Sequence, residues 1–113
     1  MRVLFDQGTP VPIKRHLIAH QVSVAAELGW DELKNGELLR AAEKEGYDVF
    51  VTTDKNLRYQ QNLTERSIAI VVIGHSQWPA LQPHVQRVVD AVDGAVPGSY
   101  VELDIPYKKP GRS

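Results

Sequence analysis

The chain has 113 residues and a formal net charge of −1, with 42% apolar residues, 24% charged residues and no cysteine. These values are typical of a single globular domain, and they exclude disulfides, thiolate chemistry and a protein that coats nucleic acid by charge alone. The longest apolar run, Ile68–Ile73, is far shorter than the ~20 residues that cross a bilayer. We therefore expect a cytoplasmic protein.

Short apolar runs alternate with helical patterns along the first half of the chain. Val3–Phe5 is predicted to form a buried strand, because parallel strands covered on both faces are apolar throughout. Thr9 is then expected to cap a first helix that has Pro10 in its first turn. Val22 and Val24 indicate a short second strand.

The second half of the chain continues this alternation. Asn35 is predicted to cap a helix that ends before Gly46, and Asp48–Val51 and Ile68–Ile73 are predicted strands. A longer amphipathic helix is predicted from Pro79 and an edge strand at 100–105, and residues 106–113 are expected to form a flexible tail. Such an order predicts an α/β fold with a central, mostly parallel sheet, in one domain over residues 1–105.

Two of the predicted strands end in an acid. Asp6 follows the first strand and Asp54 follows the third, and ligands of open α/β sheets bind at the carboxyl ends of strands. If these strands are neighbours, the two carboxylates lie close together and repel each other unless they share a cation or a proton. A hard divalent ion, Mg²⁺ or Mn²⁺, is the usual partner of such oxygen ligands.

Glu37 is a third candidate ligand, because it lies in the first turn of the predicted helix at 35–45. Together with Asp6 and Asp54 it would complete an all-carboxylate site for phosphoryl chemistry. Each acid also has an ordinary structural interpretation: Asp6 as a turn residue, Asp54 as an N-cap and Glu37 as a solvated side chain. Lys55 and Arg58, close to Asp54, are the best candidates for contacts with phosphate.

Three segments of the chain resemble a known family: "VLFDQGTP", "GWDELKNGELLRAAEKEGYDVFVTTDKNL" and "IAIVVIG". They are similar to the PIN-like proteins grouped as the DUF5615 family, which are related to the Mut7-C domain. The resemblance spans roughly residues 2–105. It implies a three-layer α/β/α PIN-like domain and a Mg²⁺- or Mn²⁺-dependent ribonuclease, often the toxin of a toxin–antitoxin pair of the VapC type.

The resemblance places Asp6, Glu37 and Asp54 at the metal-binding, catalytic positions of that family. It also assigns residues to the surroundings of the metal. By this resemblance, the residues that bind the substrate are Lys55, Asn56 and Arg58. The residues that support the metal ligands are Asn35, Thr52 and Thr53.

The chain departs from the family pattern at three places. Gln7 follows the first acid where relatives often have another acid, Asn35 stands where they often have Asp, and no acid follows "IAIVVIG". A PIN-like module that binds RNA or a protein partner without cleaving is therefore an alternative to the nuclease, and a phosphoacceptor domain modified at Asp54 is a third hypothesis. Expected partners are RNA, a cognate antitoxin and a second copy of the chain.

Overall fold

Five strands form one parallel sheet in the order β2-β1-β3-β4-β5. The computed structural model describes residues 1–57 and 66–105, so the predicted tail at 106–113 lies outside the described residues. The strands are β1 (Arg2–Phe5), β2 (Gln21–Val24), β3 (Val49–Thr52), β4 (Ala69–Val72) and β5 (Tyr100–Glu102). The α-helices among the described residues are α1 (Asn35–Lys44), α2 (Trp78–Leu81) and α3 (Val85–Asp93). Short 3-10 helices cover Val11–His16, Ala25–Leu28 and Gln82–His84.

The burial of the strands explains why their sequences are so apolar. Every residue of β3 and β4 is buried, whereas the edge strands β2 and β5 are partly exposed. Parallel strands at the centre of a sheet are covered on both faces, which is the pattern that continuous apolar runs predict. The α/β fold with a parallel sheet is therefore confirmed.

Side chains alternate between the two faces of the sheet and build two separate cores. One core combines strand residues with the first 3-10 helix and α3: Val3, Phe5, Val49, Val51, Val71, Ile13, Leu17, Val88 and Val92. The other core combines strand residues with α1: Leu4, Phe50, Ile70, Val72, Leu38, Leu39 and Ala42. Helical segments on both faces thus give the molecule three layers.

Helix α1 ends as predicted but begins differently. Gly46 adopts the left-handed conformation (φ +81°), and the bonds Gly46 N–H to Glu43 O and Tyr47 N–H to Ala42 O complete a Schellman motif. At the other end Lys34 occupies the N-cap position, so the prediction that Asn35 caps the helix is wrong. Asn35 is instead the first residue inside the helix, which directs its side chain elsewhere.

Two predicted helices are broken up by proline. The first is only a 3-10 helix whose N-cap is Pro10, and Thr9 makes no capping bond to it. The long helix expected from Pro79 onwards is divided into α2, a 3-10 turn containing Pro83, and α3. Proline has no N–H to donate and its ring crowds the preceding turn, so an uninterrupted α-helix through Pro83 is unfavourable.

Glu43 binds the chain segment that leads into β4. Its carboxylate pairs with Arg66 at 2.7 Å and also accepts hydrogen bonds from the backbone N–H of Ser67 and of Ile68 and from the Ser67 hydroxyl. Burial raises the pKa of Glu43, but the hydrogen bonds from Arg66, Ser67 and Ile68 outweigh it and hold the pKa below the ordinary value of 4.5.

A carboxylate whose pKa is lower in the folded state stabilises the fold above its unfolded pKa and loses that contribution as the pH falls through the folded pKa. We therefore expect Glu43→Gln to lower the free energy of unfolding by about 1.5–3 kcal/mol at neutral pH, the range for hydrogen bonds to charged groups. The difference from wild type should shrink as the pH falls below about 4.5. Urea unfolding at several pH values measures this. Glu45→Gln, at an exposed position on the same turn, is the control, and an equal loss there would contradict the assignment.

Candidate functional site

The two strand-end acids lie where the strand order changes direction. From β1 the chain continues to β2 on one side, and β3 lies on the other side of β1. In doubly wound sheets of this order the crevice at the carboxyl ends of β1 and β3 is the usual ligand site. Asp6 directly follows β1 and Asp54 follows β3 by two residues, so both lie at that crevice.

Asp6 is held by hydroxyl groups on both of its carboxylate oxygens. Thr9 Oγ1 donates to Asp6 Oδ1 at 2.5 Å, and Thr52 Oγ1 donates to Asp6 Oδ2. Thr52 is fully buried and Thr9 nearly so, and the Asp6 N–H continues the strand pairing to Val51 O at 3.0 Å. The carboxylate is therefore fixed in orientation by donors that cannot move far.

Thr52 also connects Asp6 to Asp54. Its hydroxyl oxygen accepts the backbone N–H of Asp54 at 3.1 Å while its proton is donated to Asp6. One buried threonine thus couples the positions of the two acids across the β1–β3 boundary. Strands β1 and β3 are neighbours, which is the condition for the predicted closeness of the two carboxylates, and that closeness stays a prediction.

The Asp54 carboxylate has two partners of its own. Oδ1 accepts the backbone N–H of Asn56 at 2.9 Å, and Oδ2 accepts the side-chain amide of Asn35 at 2.9 Å. The bond to Asn56 is of the kind that an N-cap aspartate makes, so part of the ordinary interpretation of Asp54 is present. The bond to Asn35 brings the start of α1 to the same crevice.

Glu37 is directed away from this pair. It is exposed, and its Oε1 accepts the Lys34 backbone N–H at 3.3 Å. Residues two apart on a helix do not share a face, so a helix that presents Asn35 to Asp54 turns Glu37 aside. Within residues 1–57 and 66–105, no three His, Cys, Asp or Glu side chains are grouped to hold a metal. The three-acid site stays a prediction.

Three further predicted site residues, Thr53, Lys55 and Asn56, follow β3 at the same edge of the sheet. Thr53 is half-buried, and a methyl group on Gly8 would come within 2.9 Å of its hydroxyl oxygen. Lys55 is exposed, and its aliphatic stem lies across Gly74, which has φ +75° and no side chain to block it. Asn56 is exposed and touches Asp54 through its backbone. Arg58 lies outside the described residues.

Thr9 is the site residue that the sequence interpretation missed. It was expected to cap a helix, yet its hydroxyl lies within bonding distance of Asp6 Oδ1 and of Val51 O, at 3.0 Å. The backbone bond from Thr9 N–H to Asp6 O, at 3.2 Å, closes a tight turn around Gln7 and Gly8. A hydroxyl three residues after a strand-end aspartate, with glycine between them, was the signal available in the sequence.

The donor set of the crevice fits a hard cation. Carboxylate oxygens are the ligands that Mg²⁺ takes in proteins, and it is commonly held by only one or two of them together with water and substrate phosphate. Outer hydrogen bonds such as those from Thr9 and Thr52 orient ligating carboxylates. Asp6 and Asp54 are therefore the residues that would hold such an ion.

Comparison with known proteins adds no relative: no family model, no curated protein and no solved structure matches the chain. The protein is a parallel α/β protein in which a buried threonine links the Asp6 carboxylate to the Asp54 backbone at the β1–β3 crevice. Among the described residues, no helix is long and apolar enough to cross a membrane.

Proposed function

We propose that the protein is a Mg²⁺- or Mn²⁺-dependent ribonuclease of the PIN-like type, acting in the cytoplasm as the toxin of a toxin–antitoxin pair. The observation that carries the proposal is the Thr52 hydroxyl at the β1–β3 crevice, which bonds both the Asp6 carboxylate and the Asp54 backbone N–H. Support for RNA as the substrate, for a cognate antitoxin and for the DUF5615 family comes from the resemblance of the sequence motifs.

Each residue of the crevice has a defined part in this reaction. Asp6 and Asp54 would hold the ion, Thr9 and Thr52 fix the orientation of the Asp6 carboxylate, and Lys55 would bind the phosphate of the substrate. When bound, the ion activates water as a nucleophile and neutralises the charge that develops on the phosphate.

Removal of the metal tests the proposal directly. Purified protein is expected to cleave single-stranded RNA in Mg²⁺ or Mn²⁺ and to lose the activity in EDTA, with recovery after the metal is restored. Asp6→Asn protein, prepared in parallel, controls for contaminating nucleases. Cleavage that persists in EDTA, or that is equal in the two preparations, would overturn the metal-dependent mechanism.

A second candidate is a non-catalytic PIN-like module that binds RNA or a protein partner. It is favoured by the hydrogen bonds already present in the crevice, where every carboxylate oxygen of Asp6 and Asp54 accepts a donor from the protein. Carboxylates whose oxygens all accept hydrogen bonds from the protein do not need a cation, so they can serve a purely structural role. RNA binding without cleavage in any divalent metal would select this candidate.

A further inference from the structure

A groove of about 470 Å³ lies on the outer side of the first 3-10 helix, near the crevice. It is lined by Val11, Pro12, Lys14 and Arg15, and we call it the basic groove. Val11 is 53% exposed, and both cationic side chains are exposed. No described residue forms an ion pair with either cation, so they are available to an anionic ligand.

The basic groove is connected to the candidate site by a short, anchored segment of the chain. Its helix follows the Asp6–Thr9 turn directly, and the Thr9 hydroxyl is bonded to Asp6. On its inner side the helix is anchored by Ile13, and the chain just beyond it by Leu17; both are buried in the core shared with α3. A ligand in the basic groove would therefore lie on the segment that leads directly away from the Asp6–Thr9 turn.

An aromatic pair continues this surface beyond Arg15. The rings of His16 and Trp78 lie 5.9 Å apart at an interplanar angle of 38°. His16 is exposed and Trp78 is half-buried at the start of α2, which follows the carboxyl end of β4. His16 directly follows the two cations in the chain, and Trp78, which also packs against the core shared with α3, adds ring surface beside it.

We propose that the basic groove and the aromatic pair bind single-stranded RNA and guide it to Asp6 and Asp54. Lys14 and Arg15 neutralise backbone phosphates, while Trp78, His16 and the apolar floor of the groove accept bases by stacking. Stacking of this kind needs bases that are free of a duplex, so paired RNA is a poorer ligand. The choice of RNA as the ligand rests on the proposed function. The new element is the path by which the RNA reaches the two aspartates.

Binding of a short fluorescein-labelled oligouridine, measured by anisotropy in EDTA, tests this path without requiring cleavage. The double variant Lys14→Gln/Arg15→Gln is expected to bind about tenfold or more weakly. In a plot of the logarithm of the binding constant against the logarithm of salt concentration, the slope for this variant should be less steep by roughly 1.4. The reason is that each phosphate contact to a single strand contributes about 0.7 to the slope. Trp78→Leu should weaken binding at least about fivefold through lost stacking. The matched control is Arg40→Gln/Lys44→Gln, which removes two exposed cations of α1.

The outcomes separate this inference from the proposed function. The path is supported if wild type binds oligouridine in EDTA and only the groove variants bind more weakly and with a smaller dependence on salt concentration. This holds even where Mn²⁺ produces no cleavage. If Mn²⁺-dependent cleavage occurs and the groove variants bind and cleave like the control, the path is wrong and the nuclease stands. Failure of wild type to bind oligouridine at low salt would also overturn the path. An acidic segment of a protein partner would then be the remaining candidate ligand for the basic groove.

Discussion

Replacing Asp54 with asparagine is expected to lower metal-dependent cleavage of RNA by about 10³-fold, or roughly 4 kcal/mol of transition-state stabilisation. The amide has the size of the carboxylate and can still accept the Asn56 N–H, but it lacks the negative charge that holds a divalent ion. The ratio of kcat/KM between wild type and Asp54→Asn measures the effect. Circular dichroism verifies that the variant is folded.

Glu37→Gln is the informative companion to this substitution. If Asp6 and Asp54 alone hold the ion, the change at Glu37 should leave cleavage within a few-fold of wild type, since Glu37 is turned back to the Lys34 backbone. A loss as large as that of Asp54→Asn would show that Glu37 joins the metal when substrate binds, as the three-acid prediction requires. Full activity of Asp54→Asn itself would remove Asp54 from the mechanism.

Thr52→Val is expected to destabilise the fold by about 2–3 kcal/mol, although it preserves the shape of the side chain. The hydroxyl is fully buried, donates to the Asp6 carboxylate and accepts the Asp54 N–H. Its removal leaves a partly buried N–H without its partner and takes one donor from the Asp6 carboxylate, and both changes are costly. Urea unfolding gives the difference in free energy, and the cleavage rate should fall with it as Asp6 loses its orientation.

Thr53→Val provides the matched control for this prediction. The same change is made one residue later, at a half-buried threonine whose hydroxyl has no hydrogen bond to the described residues. Stability there should change by less than about 0.5 kcal/mol, as is usual away from buried networks. Equal losses at the two positions would mean that the Thr52 hydrogen bonds contribute nothing specific.

Some features of the fold could be predicted because their cause is local. The apolar runs at β1, β3 and β4 are visible in the sequence, since strands buried on both faces have no polar side. The end of α1 was also predictable, because Gly46 can adopt a positive φ without strain. The starts of the helices were less predictable: Pro10 and Lys34 precede them, whereas Thr9 and Asn35 direct their side chains to the two aspartates.

From the sequence we could infer an α/β fold, a mostly parallel sheet and an acid after two of the strands, because these properties depend on residue types and spacing along the chain. Which side chains come together at the crevice depends on tertiary packing. The strand order places β1 beside β3, and the rotation of α1 presents Asn35 instead of Glu37 to Asp54. Strand order and helix rotation arise from packing between residues distant in sequence, and no local pattern encodes them.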